Sequence, residues 1–555
     1  MIGVVADPAD QDVVREFFEL FKTPWEFYNE GRSYDVLLCG GEIQFDATAK
    51  LVAVYAGKRT NFDKRREIPV NRQRRNSCIL RYQGSQIPLY GESITFEGKE
   101  AGALTDAATG ECVAFLAKSG DHTLARIGYN LFTELRTLLS VGQPPANAAM
   151  PALELHITLL RNLIIGSGIN LVEIPPIPEG FPFIVCLTHD VDHPFIRPHR
   201  WDHTMVGFLY RAMLGSLSRI FRGQIRLRDL LSNWHAALKL PFIYMGLTKD
   251  FWEEFTDRYL QLEQGFRTTY FVLPFRNCAG KTAPLFRAAK YGAKDIAGTI
   301  GQLVSAGHEV GLHGIDAWID STKGVDELQE IRRFTGVPVA GVRMHWLYYG
   351  QQSPGTLERA GASYDSTVGY NETVGYRAGT SQVYRPLGAS KLLELPMHVM
   401  DTALFYPSHL ALSPKDAAAL LNNLVDKTAR FGGCLTVNWH DRSLAPDRLW
   451  GSSYRELLQE LNRRGAWFAT GSQATSWFRK RRSVTFATDS AKSPIVKVKV
   501  PISHGESLPR LRLRVYRAEE MDPHCSATYL DLSVDEELAS RVPLNSGDEC
   551  LRSDT

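Results

Sequence analysis

The stretch FIVCLTHDVDHP, Phe183 to Pro194, begins like the interior of a parallel sheet and ends in a concentration of charge. Phe183 to Leu187 is an unbroken apolar run, as in strands covered on both faces. His189, Asp190, Asp192 and His193 then crowd into five positions before Pro194 ends the run. Asp and His are rarely buried without partners, so either the strand emerges at a solvated rim or its end holds a cation. Two carboxylates one residue apart at such an end can divide labour. One binds a divalent ion while its neighbour stays free as a general base.

Downstream the pattern recurs. AGHEVGLHG places His313 after a short apolar strand, with His308 at the start of that strand. GVRMHWLYY carries Arg343 and His345 two apart, hence on one side of a strand, and TVNWHDR closes an apolar run with His440. Any one of these histidines alone reads as a packing residue. Four strand ends together, delivering Asp, His, Arg and a second His, point to one shared site. The runs FIVCLTHD, TTYFVLP, HEVGLHG, AGVRMHW, SYDSTVG, LLELPMHVMD, CLTVNWH and AWFATGS alternate with helical patterns such as VDELQEIRRFTG. Repeated β then α units imply parallel strands under covering helices, as a (β/α) barrel or an open sheet.

The remaining features bound the chain. Its 555 residues exceed one ordinary core. EIPPIPEGFP is a proline-rich joint, and it sets off residues 1–177 as an N-terminal α/β domain of unknown role from residues 178–483. In the first, IGVVA and YDVLLCG read as strands, and DQDVVREFFELFK as an amphipathic helix. Neither GVVADPAD nor LLCGGE carries a nucleotide fingerprint. Residues 484–555 alternate in period two and read as a small β-sandwich-like module. A helical insertion over about 195–262 interleaves arginines with apolar residues. Packing on the barrel with a solvated basic face is the favoured reading of it, over weak contact with a membrane surface.

The 63 basic and 61 acidic residues, net +2, give no electrostatic case for nucleic acid. No apolar run is long enough for a transmembrane segment, and the N-terminus lacks the pattern of a signal peptide. The eight cysteines are scattered without a CxxC pair and read as reduced, packed thiols of a cytoplasmic protein. Oligomeric state is not legible.

In order, LTHDVDHP, GHEVGLHG, GVRMHW, LPMHVMD and VNWH resemble the motifs of the polysaccharide deacetylase (NodB-homology) family of metal-dependent carbohydrate esterases. The likeness spans roughly residues 178 to 480. LTHDVD, YDSTVGYNETVGYRAGT and GAWFAT look like a branch met near surface-polysaccharide and O-antigen assembly genes. The resemblance implies a distorted (β/α) barrel holding a divalent metal ion, zinc by preference. It also implies Asp190 as general base, Asp192 and His313 as metal ligands, and His440 as the general acid that protonates the leaving amine. Arg343 would orient the base or the substrate, and Asp401 would stand behind His440. One departure stands out: the family's second histidine ligand falls four residues after the first, where this sequence has Ala317. His345, Asp316 and His189 are the candidates for the vacant place, with His345 preferred because its strand should end at the same rim. Trp318, Trp346, Tyr348 and Tyr349 could stack on a sugar ring or pack beneath loops.

The implied activity is removal of an N-acyl group, acetyl above others, from a sugar or polysaccharide precursor in bacterial envelope metabolism. Two alternatives stay open: hydrolysis of a non-sugar C–N bond, and a catalytically silent barrel that serves as a binding or assembly module.

Overall fold

The opening stretch forms the strand β1, Ile184–Val191, and every residue of it is buried. A computed structural model shows its place; the structure describes residues 1–42, 48–97, 104–221, 225–282, 284, 287–337, 340–488, 495–499, 507–518, 528–534 and 540–543. Eight further strands belong to the same sheet: β2 (Thr269–Val272), β3 (Glu309–Gly314), β4 (Val342–Met344), β5 (Tyr364–Asp365), β6 (Leu393–Glu394), β7 (Val399–Met400), β8 (Cys434–Asn438) and β9 (Trp467–Phe468). All pair in parallel, in the order β6-β5-β4-β3-β2-β1-β8-β7, with β9 beside the first residues of β1.

Chain connectivity forces this sheet to curl. β6 and β7 stand at opposite ends of the strand order, yet the chain passes from Glu394 to Val399 between them. Five Cα steps reach at most ~19 Å. Seven strand spacings laid flat would separate the two edges by about 34 Å. The sheet is therefore a curled, open parallel layer, with no strand pairing between β6 and β7 among the described residues. LLELPMHVMD, expected as one run, is thus two edge strands, broken where Pro396 cannot donate to a ladder.

Helices Ala297–Ser305, Ser321–Thr335, Ser353–Ala360, Pro414–Phe431 and Gly451–Arg463 alternate with the strands. Leu187, Leu312, Val342 and Val437 from the strands pack with Leu328, Leu357 and Leu458 from the helices in one core. Cutting any of the buried leucines to Ala should cost ~2–5 kcal/mol. Because all the strands run the same way, the ends of β1, β3, β4, β7 and β8 share one rim.

The chain divides into two compact units. One holds the curled sheet and comprises Gln143–Ala149 and Phe181–Thr475. Within it, the insertion carries helices His203–Tyr210, Ser216–Phe221, Leu227–Tyr244 and Phe255–Leu262 over a small core of its own, including Met205, Phe208, Leu240, Ile243 and Trp252.

The other unit comprises Met1–Gly142, Met150–Gly180 and Ser476–Thr555. It contains a six-stranded sheet built from Ile2–Val5, Trp25–Phe27, Val36–Gly40, Leu51–Tyr55, Ala114–Ser119 and His122–Ile127, with the helix Gln11–Phe21 between its first two strands in sequence. Its C-terminal strands do not pair only among themselves: Leu511–Tyr516 bonds to Leu171–Glu173 as well as to Tyr529–Val534. Cys525, Cys550 and the end of the expected β module lie outside the described residues. The six described cysteines are free thiols.

Candidate metal and acid-base site

Alternation along β1 sorts its charged residues. Thr188, Asp190 and Asp192 fall on one side and His189 on the other. His189 is fully buried away from the rim, its Nδ1 bonded to the Trp439 carbonyl at 2.8 Å and its Nε2 3.0 Å from Glu263, between the rings of Tyr259 and Tyr270. It is a packing histidine, not a candidate ligand. Asp316 is likewise elsewhere, accepting from the Lys281 amide at 3.0 Å. Ala317 is wholly buried, against the helix Ser321–Thr335, so the position that the resemblance assigns to a histidine is filled by core packing.

Asp192, just past β1, meets His313 at the end of β3 and His345 just past β4. Asp192 Oδ1 is 3.3 Å from His313 Nε2 and 3.6 Å from His345 Nε2, and one ligand atom from each of the three lies within 4.8 Å of the others. The Arg343 carbonyl accepts from His313 Nδ1 at 3.0 Å, which leaves the lone pair on Nε2, facing Asp192. Burial drops the His345 pKa to about 3, so this ring is neutral, as a ligand must be. Behind His345 the backbone enters the left-handed region at two successive side chains, Trp346 (φ 65°) and Leu347 (φ 54°), a conformation that costs ~1–2 kcal/mol per residue. Asp192 Oδ1 is buried with no hydrogen-bond partner, an open acceptor that a cation would satisfy. One carboxylate and two imidazoles suit zinc or a similar divalent ion.

Two further groups flank the trio, each held by a buried partner. Asp190 accepts from Arg343 Nη1 at 3.0 Å through one oxygen and from Asn438 Nδ2 at 2.8 Å through the other. Arg343 is fixed in turn by Thr188 Oγ1 and by the Ser366 carbonyl and hydroxyl. Burial raises the Asp190 pKa, but the charges of Arg343 above all, and of His440, outweigh it and hold the carboxyl below its ordinary value. Opposite, His440 Nδ1 lies 2.5 Å from Asp401 Oδ1, and Asp401 also accepts from the His440 amide and the Ser443 hydroxyl. Burial alone would lower the His440 pKa. The Asp401 carboxylate, with Asp192 and Asp190 beyond, raises it to about 9. His440 Nε2 faces Asp192 Oδ2 at 3.8 Å.

Asp190, Asp192, His313, His345 and His440 open into one cavity of about 640 Å³. Trp346 and Tyr348 also line it; Trp318 stacks on Tyr348 at 5.6 Å and, like Tyr349, is not a lining residue. Among the polar residues that sequence reasoning missed here are Asn438, Tyr406, Arg442 and Arg448. Arg442, two residues past His440, carried a signal in its spacing; Arg448 carried none.

No protein-family model and no curated protein matches the sequence. Solved structures do. The chain is similar to a candidate polysaccharide deacetylase from Mycobacterium smegmatis, at 19% identity over 55% of this chain and 95% of that one, with a TM-score of 0.35. It is also similar to a family 4 acetyl xylan esterase from Clostridium thermocellum in complex with a cobalt ion, at 12% identity over 53% and 91%, TM-score 0.23. A third likeness is to a CE4 family pseudoenzyme from Bacillus anthracis, at 12% identity over 52% and 64%, TM-score 0.26.

Proposed function

We propose that the chain is a metal-dependent hydrolase that removes an N-acyl group, acetyl above others, from a saccharide. One observation carries the reading: an Asp-His-His trio stands between a carboxylate fixed by Arg343 and an imidazole fixed by Asp401. Asp192, His313 and His345 would hold a divalent ion, which supplies Lewis acidity to the amide carbonyl and makes a nearby water more acidic. Asp190 takes a proton from the water that bonds to the carbonyl carbon. His440 gives its Nε2 proton to the nitrogen as the C–N bond breaks, so a carboxylic acid and an amine leave. Trp346 and Tyr348 offer ring faces to a sugar at the cavity wall. A role in envelope polysaccharide metabolism is part of the same proposal.

Metal analysis tests the foundation. Purified protein should carry about one divalent ion per chain, and His345→Ala should weaken binding as severely as His313→Ala. A chain that stays metal-free in excess zinc, cobalt or manganese supports a silent binding module instead. Full occupancy in His345→Ala removes that residue from the ligand set.

A further inference from the structure

The cavity holds two buried cations that the hydrolytic reading leaves without work. Arg442 is 9% exposed and Arg448 3% exposed, and both line the cavity that holds the Asp-His-His trio. The Nε of each is buried without a hydrogen-bond partner, and neither forms an ion pair with a carboxylate among the described residues. The Arg442 guanidinium lies over the Trp252 ring, 4.8 Å from its centroid. Arg448 reaches the Tyr406 hydroxyl at 2.8 Å and the Ser443 hydroxyl at 3.2 Å, both neutral groups. Burial, reinforced by the charge of Arg448, drops the Arg442 pKa to about 10, whereas for Arg448 the effect of burial is outweighed by Tyr406, Asp401, Asp447 and Asp441, which raise its pKa. The carboxylates of Asp441 and Asp447 stand near both guanidiniums, and Asp401 near Arg448, but none is in direct contact with either fork, and buried fork donors left without an acceptor are costly unless a ligand supplies one. Their planar forks suit the oxygens of a phosphate.

We propose that Arg442 and Arg448 form an anion subsite for a phosphate ester carried by the saccharide substrate. The identity of that saccharide rests on the hydrolase reading; the anion binding does not. The probes are N-acetylglucosamine 1-phosphate and neutral N-acetylglucosamine, titrated calorimetrically into the full chain, with and without added zinc. The phosphorylated sugar should bind at least about tenfold more tightly than the neutral one in both conditions, and Arg442→Gln and Arg448→Gln should each erase most of that margin. Asp192→Asn, which removes a candidate metal ligand, should keep it. Equal affinities, or a margin intact in both arginine variants, overturn the subsite. Failure of the hydrolase reading looks different, as absent metal and absent turnover with the phosphate margin preserved. A nucleotide diphosphate sugar and a polyprenyl phosphate in vesicles present the same chemistry. Displacement of the bound probe by either supports the subsite, and displacement by neither overturns it.

A separate observation carries a second proposal. Among the described residues, thirteen of the 21 exposed large hydrophobic side chains fall between Trp201 and Leu247, on the helical insertion. Phe221 is 87% exposed, Trp201 80% and Leu238 73%, although the insertion already buries a core of its own. Arg197, Arg200, Arg226, Arg228, Lys239 and Lys249 are exposed among them, and Asp202 and Asp229 are the only acidic residues from 197 to 249. Of these cations only Arg228 faces an acidic side chain among the described residues, Asp229 at 3.7 Å, and apolar side chains interleaved with such an excess of cations complement the interfacial zone of an anionic bilayer. We infer that the insertion docks the chain on such a surface. The full chain should sediment with phosphatidylcholine vesicles containing phosphatidylglycerol, and less with phosphatidylcholine alone. Phe221→Glu with Leu238→Glu should weaken that binding at least about tenfold, because each change removes buried apolar area and adds repulsion. No sedimentation with anionic vesicles overturns the inference. So does a concentration-dependent dimer in sedimentation velocity that the double variant dissolves, since the occupant is then a second copy.

Discussion

Arg126, in one compact unit, and Arg442, in the other, are both nine-tenths buried or more, and their surroundings treat them in opposite ways. Arg126 donates to both oxygens of Asp63, at 2.7 and 3.1 Å, and to the carbonyls of Ala56, Ile127 and Lys58. Every donor group of its fork has an acceptor. Arg442 has an aromatic face beneath it and a buried Nε with nothing to bond. The same division runs through the cavity. Asp190 and Asp401 have partners on both oxygens, while Asp192 Oδ1 has none. Satisfied charges hold geometry; unsatisfied ones mark where something else must bind.

The largest effect tests the satisfied members that do chemistry. Asp190→Asn and His440→Ala should each lower turnover of an N-acetylated saccharide by about 10²–10⁴. Both variants should keep the metal content of the parent, because neither residue belongs to the trio. Turnover within threefold of the parent would remove the acid-base assignment, and loss of metal in either variant would mean that the two kinds of charge are not separable here.

A smaller effect sets the two arginines directly against each other. Arg126→Met strands Asp63 as a buried, unpaired carboxylate and should cost ~3–5 kcal/mol in urea unfolding. Arg442→Met breaks no side-chain hydrogen bond, so in the absence of ligand the protein should stay within ~1 kcal/mol of the parent or gain stability. Equal losses in the two would show that Arg442 is a structural cation, and the contrast would collapse.

Strand ends were the most legible part of this chain. Asp190, Asp192, His313, His345 and His440 each close an apolar run, and in a parallel sheet that alone delivers them to one rim. Alternation along β1 separates His189 from Asp190 and Asp192, and the step of two from Arg343 to His345 puts both on one side. What could not be read depends on long-range packing. That LLELPMHVMD crosses between opposite sheet edges follows from closure of the layer, not from its own pattern. Arg448 sits in a loop whose neighbours Asp447 and Leu449 take φ values of 78° and 56°, which no local residue preference announces. Apolar spacing in the insertion predicted helices, but periodicity cannot say that one set of side chains packs inward while a second, including Phe221 and Leu238, faces outward.

The smallest effect concerns a charge between the two extremes. Glu134 is 1% exposed and pairs with no cation among the described residues; its oxygens accept from the backbone amides of Tyr90 and Gly91 at 2.7 and 2.8 Å. Burial raises its pKa from 4.5 to about 6, against the pull of those two amides. The folded unit therefore binds a proton that the unfolded chain has already released between pH ~4.5 and 6, so this group's contribution to stability falls as pH rises through that window and is level above it. The rise from 4.5 to about 6 corresponds to roughly 2 kcal/mol. Glu134→Gln cannot titrate, and it loses one amide acceptor by the same amount at every pH. The stability difference between parent and variant should then shrink by roughly 2 kcal/mol from pH 4.5 to pH 7, in paired urea titrations. A difference that stays constant with pH would mean that two backbone dipoles satisfy a buried carboxylate as fully as Arg126 satisfies Asp63, and partial satisfaction would have no place between the two extremes.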